Sequence, residues 1–135
     1  MKKIILAALL YLSCSAAFVQ AQTYQLSSHI LDISTGLPAP EVPVKLQKWN
    51  EKDDTWTVVD QKITDENGRI KDFLEQKNAT KGVYKLTFLV ADYFKSKQVT
   101  SFYPFIEVVF EIKDNKHYHV PITLSPFGYS TYRGN

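Results

Sequence analysis

Apolar residues along most of this chain recur at every second position rather than at helical spacing. In YQLSSHILD, Tyr24, Leu26 and Ile30 share one face and His29 falls on the other. Val42, Val44 and Leu46 alternate with Pro43, Lys45 and Gln47. Tyr84, Leu86, Phe88 and Val90 alternate with Lys85 and Thr87, and Ile106, Val108, Phe110 and Ile112 with Glu107 and Glu111. In HYHVPITLS, Tyr118, Val120, Ile122 and Leu124 alternate with His117, His119, Pro121 and Thr123. TWTVVDQKI is a further, less regular run. A period of two belongs to strands that bury one face and turn the other to water or to a partner. Turn residues separate the runs at Ser34-Thr35-Gly36, Glu66-Asn67-Gly68, Lys81-Gly82 and Asp114-Asn115. Only ADYFKSK reads as a short helix. Roughly seven to eight short strands at this spacing predict an all-β fold, a two-sheet sandwich with one short helix. Pro43 and Pro121 each remove a ladder donor, which predicts that their strands lie at sheet edges or are bulged there.

The first residues break the pattern. MKKIILAALLYLSCSAAFVQAQ runs from Lys2 and Lys3 through an apolar stretch to small residues before Ala21. That order predicts a secretory signal peptide over residues 1–21, one domain over 22–135, and export, most simply to a periplasm or beyond it. The apolar stretch is too short to span a bilayer, so no membrane association is expected after cleavage. Acylation at Cys14 is the alternative, and Tyr11-Leu12-Ser13 before it suits a lipoprotein poorly. Lys2 and Lys3 are two of the 16 Lys and Arg, and none of the 14 Asp and Glu precede Gln22, so the mature chain balances 14 against 14. Net charge therefore gives no reason to expect nucleic acid or an anionic membrane as a partner. Cys14 is the one cysteine, so the mature domain has no disulfide, no thiol chemistry and no Cys-based metal site.

The polar positions that remain are His29, Arg69, His119 and the tail Tyr132-Arg133-Gly134-Asn135. Both histidines lie opposite the apolar set of their strands, so neither is a core histidine; each meets solvent or a partner surface. His117 and His119 share a face at i, i+2, a spacing that suits a metal pair, but no third ligand has recognisable spacing. Arg69 follows Asn67-Gly68 at a turn exit, where an ordinary surface Arg is the simplest reading. Tyr93, Phe94, Phe102, Tyr103 and Phe105 read as packing residues. Sites built on G-x-S-x-G, a P-loop or H-E-x-x-H are absent from the sequence. Periodicity and composition name no reaction.

Four blocks carry a resemblance that does. SSHILDISTGLPA, TDENGR, the pairing of Tyr93-Phe94 with Phe102-Tyr103-Pro104, and above all HYHVPITLSPFGYSTYRGN resemble the 5-hydroxyisourate hydrolases of the transthyretin-like family, from about Leu26 to Asn135. The resemblance implies a transthyretin-like sandwich assembled as a homotetramer, with sites in a channel between dimers. It implies hydrolysis of 5-hydroxyisourate to 2-oxo-4-hydroxy-4-carboxy-5-ureidoimidazoline in urate catabolism, without metal or organic cofactor. Carried over by position, His29, His119 and Arg69 are the expected catalytic residues. His29, Arg69, Tyr132 and Asn135 are the expected substrate contacts, and Arg133 is expected to fix the tail by an ion pair or hydrogen bond. Two departures stand out: Asn67 occupies a position where the family has Asp, and Asn135 one where it has Ser. The second keeps open a binding module without catalysis; a purely structural sandwich is the other alternative.

Overall fold

A computed structural model describes residues 23–135; the leader reading of residues 1–21 and the Cys14 alternative lie outside the described residues. Eight strands of four residues or more are β1 (Tyr24–Asp32), β3 (Pro43–Asn50), β4 (Thr55–Ile63), β5 (Arg69–Glu75), β6 (Gly82–Phe88), β7 (Ile106–Ile112), β9 (Ile122–Ser125) and β10 (Gly128–Thr131). Two-residue strands β2 (Leu37–Pro38) and β8 (Tyr118–His119) complete the set, and α1 (Ala91–Ser96) is the helix expected in ADYFKSK. No described helix is long and apolar enough to cross a membrane.

The strands form two sheets. One runs β4-β3-β6-β7, each pair antiparallel. The other is organised around β1, which changes partner midway on both sides. On one side β1 pairs antiparallel with β5 and then β2; on the other it pairs parallel with β8 and then β9, with β10 outside β9. The apolar faces meet between the sheets. Leu26 and Ile30 of β1, Leu46 of β3, Leu86 and Phe88 of β6 and Ile122 and Leu124 of β9 are all at or near zero exposure. Burying each such side chain contributes about 1.5–3 kcal/mol, which is how a chain with no cysteine in its described part holds two sheets together.

Two expectations need correction. The β3 strand is central, between β4 and β6, although it begins with Pro43. The ring is tolerated because Pro43 is the first residue of the strand, where its carbonyl still accepts from Leu89 N–H at 2.9 Å. The ladder irregularity lies instead between Leu46 and Gln47. Pro121 does interrupt a strand, splitting β8 from β9. The aromatic stretch also divides: Tyr93 and Phe94 are buried, whereas Phe102 and Phe105 are exposed. Tyr93 has a polar task besides packing. Its hydroxyl donates at 2.8 Å to the buried Asp32 carboxylate, which pins α1 to the end of β1. Burial and that acceptor both raise the Tyr93 phenol well above its ordinary range.

Candidate active site

The partner switch along β1 brings the expected residues together. Ser27 and His29 are two apart on β1 and share its outer face. Antiparallel register sets His29 opposite Arg69 at the start of β5, and parallel register sets Ser27 opposite His119 in β8. His29, Arg69 and His119 therefore line one cavity of about 770 Å³, together with Ser27, His117 and Asn135. That volume is in the range of small-ligand sites. The two histidines are half-buried and Arg69 is exposed, as a site on an outer sheet face requires.

Local chemistry fixes each position. The Asp65 carboxylate accepts from the backbone N–H of Asn67 and of Arg69, both at 2.9 Å, closing the turn that delivers Arg69. Gly68 has φ +67, and a Cβ there would sit 2.7 Å from the Ile30 carbonyl oxygen, so the turn can approach β1 only with glycine. His119 is held from two directions. Ser27 Oγ lies 2.8 Å from His119 Nδ1 and also 2.8 Å from His117 Nε2, and His117 Nδ1 lies 3.0 Å from the Tyr24 carbonyl oxygen. From the other direction the tail bridges to β8, with Gly134 N–H donating to the His119 carbonyl at 2.8 Å.

Burial, and then the Arg69 guanidinium, hold His29 below its ordinary 6.5, while the Asn67 backbone and Asp65 pull weakly the other way. His119 is lowered for the same leading reason, burial, reinforced by Arg69, His29 and His117. Both shifts favour the neutral imidazole, whose lone pair can accept a proton beside a fixed positive charge. Among the described residues, no group of three or more His, Cys, Asp or Glu is placed to hold a metal ion.

The tail differs from expectation in two places. Tyr132 does not enter this cavity; it lines a separate groove with Val108, Val109 and Phe110 of β7. Arg133 makes a cation–π contact rather than the expected ion pair or hydrogen bond, its guanidinium carbon 4.4 Å from the centroid of the Tyr118 ring. Of the tail residues expected to contact a ligand, only Asn135 lines the cavity. Ser27 was not singled out from the sequence. Its signal was present, an outward polar residue two before His29, but which histidine it faces depends on strand pairing.

The sequence profile of the HIUase/Transthyretin family matches residues 26–134. A 5-hydroxyisourate hydrolase of Salmonella typhimurium is 45% identical, with 100% of both chains covered. One of Mus musculus is 38% identical over 82% of this chain and 94% of its own. Among solved structures, sea bream transthyretin in complex with thyroxine superposes with a TM-score of 0.77 at 31% identity, covering 82% of this chain and 94% of that one. A 5-hydroxyisourate hydrolase of Klebsiella pneumoniae gives 0.68 at 34% identity, covering 84% and 95%. The fold is common to the hormone-bound protein and the hydrolase, so the backbone does not separate them and the site residues must.

Proposed function

The chain belongs to the HIUase/Transthyretin family, and from that premise we propose that it is a hydrolase that opens 5-hydroxyisourate in urate catabolism. The observation that carries this reading is the convergence of two imidazoles, each favoured in its neutral form, and one guanidinium in a single small-ligand cavity. Hydrolysis of a ring C–N bond next to a carbonyl needs a base for the attacking water, a donor for the departing nitrogen, and positive charge where the oxygen becomes negative. His29 and His119 meet the first two needs between them. Arg69 meets the third, its planar fork of donors matching a planar, oxygen-rich ring. Asn135 offers an amide donor and acceptor at the cavity wall. The reading is tested by adding freshly generated 5-hydroxyisourate and following its ultraviolet decay against the spontaneous rate. Acceleration at catalytic protein concentration is expected; stoichiometric binding without acceleration would leave only a carrier.

The working unit we propose is a homotetramer. Val109 on the edge strand β7, together with Phe102 and Phe127, is 57–72% exposed, more apolar surface than a lone sandwich of this size needs to show water. Both β7 and β10 are edge strands in the single chain, and an edge invites pairing with another copy. Light scattering at micromolar concentration is expected to give roughly four times the mass of one chain, consistent with closed symmetry. A fully active monomer would refute it.

Asn135 should make this site slower than one ending in Ser, because its amide reaches farther than a hydroxyl. A functional group displaced by about 1 Å can cost up to 10²-fold. Asn135→Ser is therefore expected to raise kcat by about tenfold or less, with unchanged or lower kcat as the opposing result.

A further inference from the structure

The hydrogen-bond chain behind His119 admits one arrangement of protons when both of its imidazoles are neutral. The Tyr24 carbonyl can only accept, so His117 carries its proton on Nδ1, 3.0 Å away. A neutral His117 then presents a bare Nε2, 2.8 Å from Ser27 Oγ, and takes the single hydroxyl proton. With its proton so engaged, Ser27 Oγ can only accept from the second imidazole, also 2.8 Å away, so His119 carries its proton on Nδ1. The lone pair of His119 is left on Nε2, which has no hydrogen-bond partner among the described residues, on a side chain that lines the cavity.

We infer that Ser27 and His117 are positioning residues that hold His119 as the Nδ1–H tautomer, with its Nε2 lone pair free to take the proton of the attacking water. The inference rests on the hydrolase reading and deepens it: His119 becomes the base, and His29 is left as the group that returns a proton to the departing ring nitrogen. The proton balance is simple. Water gives one proton to His119 Nε2 as its oxygen bonds to the carbonyl carbon, and the resulting imidazolium keeps its Nδ1 proton on Ser27. His29 takes a proton from solvent and gives it to the nitrogen as the C–N bond breaks, and His119 returns the proton it took from the attacking water to solvent, so both imidazoles end neutral and no net proton is consumed.

The chain is not needed to pair the strands. Backbone register already joins Leu26 to Tyr118 and Ser27 to His119, and Val120 N–H donates to the Ser27 carbonyl at 3.0 Å. The side-chain bridge between two imidazoles is additional, and its effect falls on proton placement. A neutral histidine free in water favours the proton on Nε2, the tautomer that would leave no lone pair facing the cavity. Holding Nδ1–H works against that preference, as a hydrogen bond to one ring nitrogen sets the state of the other.

The test reads tautomers directly. Full-length protein labelled with [15N]histidine, without substrate, gives two-bond proton–nitrogen correlations that distinguish the two ring nitrogens. Wild-type His119 is expected to be protonated on Nδ1 and bare on Nε2. Ser27→Ala should release His119 toward Nε2–H and lower kcat by about tenfold to 10²-fold, with KM nearly unchanged. Ser27→Thr, which keeps the hydroxyl, and His117→Gln, whose amide oxygen can still accept from Ser27, should both retain the wild-type tautomer and most of the rate. His117→Phe should behave as Ser27→Ala. A wild-type His119 protonated on Nε2 would overturn the inference, as would a folded Ser27→Ala protein with unchanged tautomer and kcat. If wild type shows the Nδ1–H tautomer yet does not accelerate 5-hydroxyisourate decay, the hydrolase reading fails and the tautomer assignment stands.

Discussion

Replacing His119 by Ala is expected to lower kcat/KM for 5-hydroxyisourate by about 10²-fold or more, the scale of a lost general base, while the thermal midpoint stays close to wild type. The two outcomes separate because the side chain is outside the core. His119 pairs with Ser27 through its backbone and places its ring on the outer sheet face, half-buried beside the cavity. His29→Ala should cost a similar factor for the same reason. Arg69→Ala should also cost about 10²-fold, the scale of a lost electrostatic donor, and should leave a further signature in the pH profile. Both histidines are lowered in part by the Arg69 charge. Removing it lets each rise back toward its ordinary 6.5, so each becomes protonated at a higher pH as acid is added. The acid limb of kcat/KM therefore moves to higher pH in Arg69→Ala. In Arg69→Lys it should stay near wild type, because the charge is kept although the planar fork is lost. Near-full activity in both histidine variants, with the fold intact, would end the proposed mechanism.

Much of this site was legible in the sequence because its residues break a regular pattern in a regular way. Strict alternation in 84–90 and 106–112 predicts two strands and their buried faces; the apolar faces are buried apart from the half-buried Phe110, but β6 ends at Phe88 and buries Lys85 and Thr87 as well. The same alternation puts His29 and His119 on outer faces, where they are found. The strand β5 was not legible. Ile70, Phe73 and Leu74 are buried without a period of two, because Leu74 has φ +55 and the ladder to β1 slips between Leu26 and Ser28. The buried Gln25 was equally hidden. Its amide donates at 2.7 Å to the Asp114 carbonyl, a partner 89 residues away that no local pattern announces. The role of Ser27 depends on β1 pairing with β8 in parallel, a long-range fact of the same kind. Tyr132 was misplaced because a motif gives adjacency along the chain, whereas the cavity wall is set by where the tail crosses β8.

That crossing supports the last expectation: Gly134→Ala should lower kcat by about 10²-fold, although Gly134 contributes no side chain to the cavity. The tail bridges β8 at this residue, and a Cβ built there would lie 2.4 Å from His119 Cδ2 and 3.1 Å from Cγ. Both distances reach into the imidazole ring, which cannot bend away from within. Ser27 holds the ring from the Nδ1 side, so relief must come from a tilt of the imidazole or a lift of the tail. A tilt of about 1 Å at Nε2 is enough for a loss of up to 10²-fold. A lifted tail breaks the Gly134 N–H bond to the His119 carbonyl and carries Asn135 out of the cavity. The sandwich rests mainly on core residues between the sheets, with Tyr118 the core side chain that the tail covers through Arg133. Deleting Tyr132 through Asn135 removes the same contacts and should give a folded protein of similarly low activity, its β-sheet circular dichroism retained. The pair of variants is informative together. If the deletion is slow and Gly134→Ala is as fast as wild type, the tail acts through the side chain of Asn135 and not by seating His119. If both turn over at the parent rate, the tail has no part in the site.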